Sequence, residues 1–369
     1  MTNADPANER RIPAISTKIY WVKVWRTTRN GRLGILSFAF SVLRSIFAAL
    51  RFALTNRIPH SKLKLQTPNA ELVPAMLIDL SDRAKFKVTG KDRVRFLNGQ
   101  LTNDVDALHS GSAIYACALT AKGKLCADLF VAAAEESHYL DTESLLRESL
   151  PARLEKYIIA DDVTLEDVTD EFGLFHLTGS KFPVSSERIE IFQIESARFG
   201  PSGVDLWFPA SQTALIKGIL KNGPIDAEAL ENLRIEQGIA RWGSELSENV
   251  IPNEAALDKR AISYTKGCYL GQEVISRIKS LGHVNRQLRG LLPVGEIALE
   301  AGDKLVGTAE ASKEVGLITS VGRSRSLGRA IALGYIRRGF DAPESTLQVR
   351  RNDTLIGLVE VCSLPFISA

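Results

Sequence analysis

A stretch of eight residues brings a cation, a thiol, an amide and a carboxylate close together in the chain. We call it the octet, and it reads Lys266-Gly267-Cys268-Tyr269-Leu270-Gly271-Gln272-Glu273. A cation beside a cysteine favours the thiolate, which is the reactive form of the side chain. Two glycines allow a tight backbone, so we expect Cys268 on a loop or a loop-to-helix turn. The octet therefore predicts a reactive thiolate at Cys268, favoured by Lys266.

Two further runs accompany the octet. One is Phe96-Leu97-Asn98-Gly99-Gln100-Leu101-Thr102-Asn103-Asp104-Val105, and the other is Leu233-Arg234-Ile235-Glu236-Gln237-Gly238 on a predicted helix. Together the three runs resemble the YgfZ or Iba57 (CAF17-like) family, a relative of the glycine-cleavage T-protein (aminomethyltransferase) superfamily. The resemblance extends from about Met76 to the C-terminus. It implies a folate-binding protein, with tetrahydrofolate or a one-carbon derivative as the cofactor.

The resemblance also implies roles for individual residues. Glu236 corresponds to the superfamily glutamate that binds the pterin ring, and a carboxylate can accept two parallel N–H bonds from an aminopyrimidine edge. Asn103 and Asp104 offer hydrogen-bonding groups that suit either a pterin or an ordinary polar turn. We expect Glu236 and Cys268 to face one pterin-sized cavity. The other side chains expected around the folate or a docking partner are Tyr269, Gln272, Glu273 and Arg277.

An acidic residue follows the turn of a predicted hairpin over residues 113–134. Aminomethyltransferases carry a Gly-Gly turn and then an Asp-Asp pair, whose carboxylate takes part in the amine chemistry. This chain has Ala127-Asp128 at the place of the pair. Asp128 is either a ligand-binding acid/base group or a solvated carboxylate at a strand end. The departure favours the YgfZ branch over a classical enzyme.

Composition limits the remaining classes of function. The chain has 369 residues, 45% hydrophobic and 24% charged, which is typical of a soluble protein of two or three domains. Its net charge of +3 is too small to indicate nucleic-acid binding. The four cysteines have neither metal-ligand spacing nor a disulfide pattern, so no metal site is predicted. A reducing compartment, the cytoplasm, is expected.

The leading hypothesis is a tetrahydrofolate-binding accessory protein for the assembly or repair of iron–sulfur enzymes, including tRNA thio-modification enzymes. Its expected partners are iron–sulfur enzymes or cluster carrier proteins, without stable nucleic-acid binding. The alternative is a folate-dependent aminomethyl or methyl transferase with Asp128 as the acid/base group. A third interpretation, an RNA-linked module, would require salt-sensitive RNA binding.

The spacing of apolar residues predicts the elements that position these groups. Residues 76–284 alternate short strands with helices, which indicates an α+β, ferredoxin-like core of the T-protein type. One predicted helix begins after Asp226 and extends to about Trp242. Five strand-like runs with Gly-rich turns follow, the last of them over Leu347–Leu358, so residues 285–369 are predicted to form a small antiparallel β-barrel.

The first 75 residues differ from the rest of the chain. No Asp or Glu occurs from Arg10 to Ala70, and Leu33–Leu54 is mostly apolar but contains two arginines. Three interpretations are open: a transit peptide, which would direct the protein to the mitochondrial matrix; an amphipathic helix that touches a membrane surface; or an extension outside the functional core, which begins near Met76.

Overall fold

The computed structural model describes residues 76–179, 190–220, 223–308 and 313–367. The basic segment of residues 1–75, with the apolar run Leu33–Leu54, lies outside them. The described part contains two antiparallel sheets with short helices, and a closed β-barrel. The α+β core followed by a small antiparallel barrel, predicted from the sequence, is therefore confirmed. Within the described residues, no helix is both long and apolar enough to span a bilayer.

The first sheet has five strands in the spatial order β3-β4-β5-β2-β6. Helices α1 (Arg93–Gln100) and α2 (Ser149–Glu155) bury apolar side chains in the same core as these strands. The alternation of apolar and polar residues along the strands directs one face of the sheet toward that core. The strands are β2 (Ala84–Thr89), β3 (Ala113–Leu119), β4 (Leu125–Ala133), β5 (His138–Thr142) and β6 (Thr164–Asp167).

The second sheet has four strands in the order β1-β7-β9-β8. Helix α3 (Thr213–Ile219) packs on it through Ile216. Tyr139 of the first sheet and Trp207 of the second lie in one apolar cluster, with ring centroids 5.3 Å apart, so the two sheets share a core. The strands are β1 (Leu77–Asp79), β7 (Phe172–Thr178), β8 (Phe192–Glu195) and β9 (Gly203–Pro209).

The barrel closes in the order β10-β13-β12-β11-β14-β15. Its six strands are β10 (Arg286–Val294), β11 (Lys304–Gly307), β12 (Glu314–Arg323), β13 (Ala330–Arg337), β14 (Thr346–Arg351) and β15 (Thr354–Cys362). The run predicted as one strand over Leu347–Leu358 is a hairpin. Asn352 and Asp353 both have positive φ, the backbone that a two-residue hairpin turn requires.

Helix α4 (Ala227–Glu236) connects the core to the barrel. Asp226 caps its first turn by accepting a hydrogen bond from the Ala229 N–H (2.7 Å), as predicted. The helix ends at Glu236, whereas the sequence predicted about Trp242. Gly238 has a φ of +65°, and the N–H groups of Gly238 and Ile239 bond back to the last helical turn. This left-handed cap stops the helix.

The octet ends in helix α5 (Gln272–Leu281), so Cys268 lies on the loop that enters a helix, as predicted. Glycines with positive φ flank this helix, Gly271 at +88° and Gly282 at +74°. A Cβ atom on Gly271 would lie 2.6 Å from the Thr120 carbonyl oxygen, whereas one on Gly282 would have no atom of the described residues within 4 Å. Gly271 is thus required both by the backbone angle and by the close approach of the β3–β4 turn.

We expect Gly271→Ala to destabilise the protein more than Gly282→Ala. Gly282→Ala adds only the cost of a left-handed backbone for alanine, about 1 kcal/mol. Gly271→Ala adds this cost and steric overlap with the Thr120 carbonyl, for a total of about 3 kcal/mol. Urea unfolding of both variants measures the difference. Equal losses of unfolding free energy would show that the approach to Thr120 does not constrain the octet.

Candidate functional site

A cavity of about 290 Å³ lies beside the first sheet and under α4. This volume is near the lower end of the range for small-ligand sites. Several segments contribute to its wall: β3, β4, α4, the turn after α4 and the loops around Arg83, Arg198 and Arg260. Its lining includes Arg83, Tyr115, Asp128, Phe130, Glu143, Arg198, Leu230, Glu231, Arg234, Ile239, Arg241, Leu257 and Arg260.

The two strands β3 and β4 supply an acid and two aromatic rings. Tyr115 lies directly opposite Phe130, and their ring centroids are 4.9 Å apart. The Tyr115 hydroxyl donates to Asp128 Oδ2 at 2.9 Å. Asp128 Oδ1 is buried and has no hydrogen-bond partner among the described residues. The cavity therefore contains one buried acceptor that no described side chain satisfies.

Burial raises the pKa of the Asp128 carboxyl to about 6, although Arg83 opposes the shift. The carboxyl thus changes its charge near neutral pH, which is the range that suits a general acid or base. Ala127, the preceding residue, is fully buried in the apolar core on the other face of the sheet. Of the two positions that hold an acid pair in aminomethyltransferases, the one that faces the cavity here is Asp128.

A buried chain of charged residues fixes two cavity arginines. Arg198 donates to Asp141 Oδ1 (2.9 Å) and to Asp205 Oδ2 (2.8 Å), and its guanidinium lies 3.9 Å from the centre of the Phe130 ring. Arg83 donates to Asp141 Oδ1 at 2.5 Å. Burial raises the pKa of Asp141, but Arg198 and Arg83 outweigh it, so the pKa lies below its usual value. Both guanidinium groups are held in place before any ligand binds.

Asn103 supports the cavity wall from behind. Its side-chain amide donates to the backbone carbonyls of Tyr115 (2.9 Å) and Arg260 (3.3 Å), two residues that line the cavity. Its Oδ1 accepts a hydrogen bond from the Asp104 N–H at 2.9 Å. Neither Asn103 nor Asp104 lines the cavity, and pterin binding by them stays a prediction.

Lys266 binds the octet to the end of α1. Its ammonium donates to three backbone carbonyls, those of Asn98 (2.7 Å), Leu101 (2.9 Å) and Asn103 (2.8 Å). We call this arrangement the lysine clamp. Its three contacts match the three N–H donors of the ammonium. Burial lowers the pKa of Lys266 to about 8. Activation of Cys268 by this lysine stays a prediction.

The remaining octet residues divide between the core and the surface. Tyr269 is buried in an apolar core, with the Lys266 ammonium 5.3 Å from its ring centre. Cys268 and Glu273 are exposed, and Gln272 is half-buried. Arg277, one turn further along α5, is also exposed. None of these side chains lines the cavity, so the octet forms a surface of its own.

Glu236 faces the barrel. Its Oε1 accepts hydrogen bonds from the Ser324 hydroxyl (2.5 Å) and the Ser326 N–H (3.3 Å). Arg234, two residues earlier, lines the cavity, and side chains two apart on a helix diverge by about 200°. Glu236 and Cys268 therefore do not share this cavity, contrary to the expectation from the sequence. Pterin binding by Glu236 stays a prediction.

Among the cavity residues that sequence reasoning missed are Tyr115, Arg83, Arg198 and Arg260. Tyr115 carried a signal, because it is an aromatic residue across a predicted hairpin from Asp128. The three arginines come from connecting segments without any periodicity. Their convergence depends on how the two sheets pack, which the pattern of one strand does not encode.

Two family models match the chain. Residues 72–189 match the GCVT N-terminal domain, and residues 286–367 match the glycine cleavage T-protein C-terminal barrel domain. Together they cover more than half of the 369 residues. The chain belongs to the glycine-cleavage T-protein family.

Individual relatives agree with this assignment. The tRNA-modifying protein YgfZ of Yersinia pestis is 28% identical, over 83% of this chain and 97% of its own length. An aminomethyltransferase of Saccharopolyspora erythraea is 25% identical, over 81% of this chain and 88% of its own. The crystal structure of aminomethyltransferase T from Bartonella henselae matches 79% of this chain and 86% of its own, with a TM-score of 0.69 at 20% identity, so the fold is shared. The resemblance to YgfZ and the T-protein superfamily is confirmed.

We expect Asp128→Asn to change how stability depends on pH. The folded pKa, about 6, lies above the unfolded value near 3.9, so ionisation costs the native protein stability as pH rises from about 4 to 6. The variant lacks this cost. Its unfolding free energy relative to wild type should rise by on the order of 2 kcal/mol between pH 4 and pH 7.

Urea unfolding at pH 4, 5, 6 and 7 measures this difference. Glu166→Gln is the matched control, because Glu166 is an exposed acid on β6. Any pH dependence that this control shows is subtracted from that of Asp128→Asn. A flat profile for Asp128→Asn after this subtraction would mean that the cavity acid titrates normally.

Proposed function

We propose that this protein binds tetrahydrofolate in the cavity beside Asp128 and assists iron–sulfur enzymes through the exposed octet. The observation that carries the folate part is the buried Oδ1 of Asp128, which has no hydrogen-bond partner in the described part of the chain and lies next to two aromatic rings. A reduced pterin is a flat ring system with N–H donors on its edge, so it matches an acceptor beside an aromatic wall.

The other cavity residues fit the same ligand. Apolar contacts for a flat ring come from Leu230, Ile239 and Leu257. Arg241 and Arg260 are exposed on the cavity wall, where they suit the carboxylates of a folate glutamate tail. Tetrahydrofolate supplies a carrier for one-carbon units on its ring nitrogens.

Asp128 has the properties of a proton-transfer group. Its carboxyl can give or take a proton at a ligand nitrogen near neutral pH, since its pKa is raised to about 6. The Tyr115 hydroxyl holds Oδ2, which leaves Oδ1 to meet the ligand. Arg83 places positive charge near the carboxyl, and Glu143 places negative charge there.

The second candidate is folate-dependent aminomethyl or methyl transfer. It is favoured by the position of Asp128 in the cavity and by the similarity to aminomethyltransferases. The two candidates differ in product. An aminomethyltransferase would convert tetrahydrofolate and an aminomethyl donor into methylenetetrahydrofolate and free ammonia, whereas an accessory protein would bind tetrahydrofolate without turnover.

Calorimetry with tetrahydrofolate tests the cavity. We expect Asp128→Asn to weaken binding at least tenfold, since a hydrogen bond to a charged group contributes about 1.5–3 kcal/mol. In this variant the Tyr115 hydroxyl would donate to the oxygen of the new side-chain amide. The NH2 group of that amide, itself a donor, would then face the N–H donors of the ligand. Glu236→Ala is the matched control, which should lower stability and leave the affinity unchanged. The opposite pattern would move the pterin from the cavity to Glu236.

The iron–sulfur part rests on two observations. Cys268 is exposed on a loop that the lysine clamp and Gly271 hold in place. A relative similar over most of the chain is named a tRNA-modifying protein, which supports a client enzyme in tRNA thio-modification. We propose that Cys268, as thiolate, acts toward such a client, with Glu273 and Arg277 on the same surface.

Replacing Cys268 by Ala should reduce the activity of an iron–sulfur tRNA thio-modification enzyme in cells that depend on this protein. Tetrahydrofolate affinity should stay unchanged, because Cys268 lies outside the cavity wall. Cys126→Ala is the matched control, since Cys126 is a half-buried cysteine on β4. Full client activity with the Cys268 variant would reject the role of the thiol.

A further inference from the structure

The cavity and the octet are separate, but one short segment contacts both. We call residues 98–103 the connector. The octet binds it through the lysine clamp and through the Leu270 N–H, which donates to the Gly99 carbonyl at 3.1 Å. Further contacts come from the residues just before the octet, because the Ser263 N–H donates to the Thr102 carbonyl at 3.0 Å.

The connector is bound just as closely to the cavity wall. The buried Thr102 hydroxyl accepts from the Cys117 N–H (2.8 Å) on β3 and donates to the Ala261 carbonyl (2.6 Å). The Asn103 amide spans the carbonyls of Tyr115 and Arg260. Tyr115 and Arg260 belong to different segments of the cavity wall, so the two hydrogen bonds of the Asn103 amide depend on the distance between these segments.

We propose that Lys266 and Asn103 are positioning residues that couple occupancy of the cavity to the conformation of the octet. The proposal rests on the proposed function and adds regulation to it. A ligand that contacts the Tyr115 ring and Arg260 sets the distance between their backbones. The Asn103 amide follows that distance, and the Asn103 carbonyl is one of the three that hold Lys266.

The geometry indicates that a movement of the connector is passed on to Lys266 and is not taken up within the connector. The Lys266 ammonium has three carbonyl partners for its three N–H donors, so a shift of the connector must move the lysine or break a bond. The bond from Asn103 to the Arg260 carbonyl, 3.3 Å, is longer than its bond to Tyr115 and has room to shorten. Binding at the cavity should therefore tighten the connector and order the octet.

Alkylation of Cys268 reports the conformation of the octet. Iodoacetamide labelling of the full chain under argon, followed by mass spectrometry of the peptide that contains Cys268, gives its rate separately from the other cysteines. In wild type, saturating tetrahydrofolate should slow this rate about fivefold, within the usual range of coupling between sites. Calorimetry on the same samples establishes binding independently.

Three variants separate coupling from a structural role. Lys266→Met removes the clamp, so its labelling rate should no longer respond to tetrahydrofolate. Asn103→Ala keeps the clamp, which uses the backbone carbonyl, so its rate without ligand should match wild type while the response is lost. Lys279→Met is the matched control, since this lysine of α5 lies 3.9 Å from the Tyr264 ring, and it should respond like wild type.

The outcomes are distinct. No heat of binding in wild type would overturn the proposed function and this coupling with it. Binding without any change in the Cys268 rate would overturn the coupling alone, as would an Asn103→Ala variant that responds like wild type. If Lys266→Met does not fold, the Asn103→Ala result decides.

Discussion

The pairing of β3 with β4 determines which side chains can meet a ligand. The register shifts by one residue between Ala118 and Leu119, next to the turn. Beyond the shift, Cys117 lies opposite Asp128, and Tyr115 lies opposite Phe130. Directly opposed residues in an antiparallel pair point to the same face, so the bulge places the acid and the aromatic rings together. Without it, Asp128 would pair with Ala116 and face the apolar core, where an ionised carboxyl would be costly.

The barrel supports the cavity although none of its described residues is in the cavity wall. Arg234 donates to Glu245 Oε2 (3.0 Å) and to the Ser320 hydroxyl (2.6 Å) of the barrel. Glu245 is also buried, and it accepts from the Thr319 hydroxyl at 2.8 Å. Removing one partner of a buried pair leaves an uncompensated charge, which costs about 3–5 kcal/mol. The hydrogen bonds of Arg234 therefore both hold the barrel against the core and fix the position of an arginine in the cavity wall.

The sequence predicted the elements better than it predicted the site. The pattern of apolar residues identified the β3–β4 hairpin, and Asp226 identified the start of α4, because these signals are local. The end of α4 was missed because the cap depends on one glycine, Gly238, inside a run that otherwise continues a helical pattern. The octet was predicted to be a loop that enters a helix, but its sequence does not indicate that Lys266 donates to carbonyls about 165 residues away in the chain. Contacts of that range follow from tertiary packing.

The separation of Cys268 from the cavity changes what the octet must accomplish. A thiol inside the cavity would meet only what the cavity holds, whereas an exposed thiol is open to groups that approach the surface. Lys266 holds the octet against the end of α1, and Gly271 allows the octet to approach the β3–β4 turn. This turn leads into β4, the strand that carries Asp128. The β3–β4 hairpin is therefore a shared foundation for the cavity acid and the surface thiol. The buried Asp128 carboxyl and the exposed Cys268 thiol differ in their access to solvent, and the position of both depends on this one hairpin.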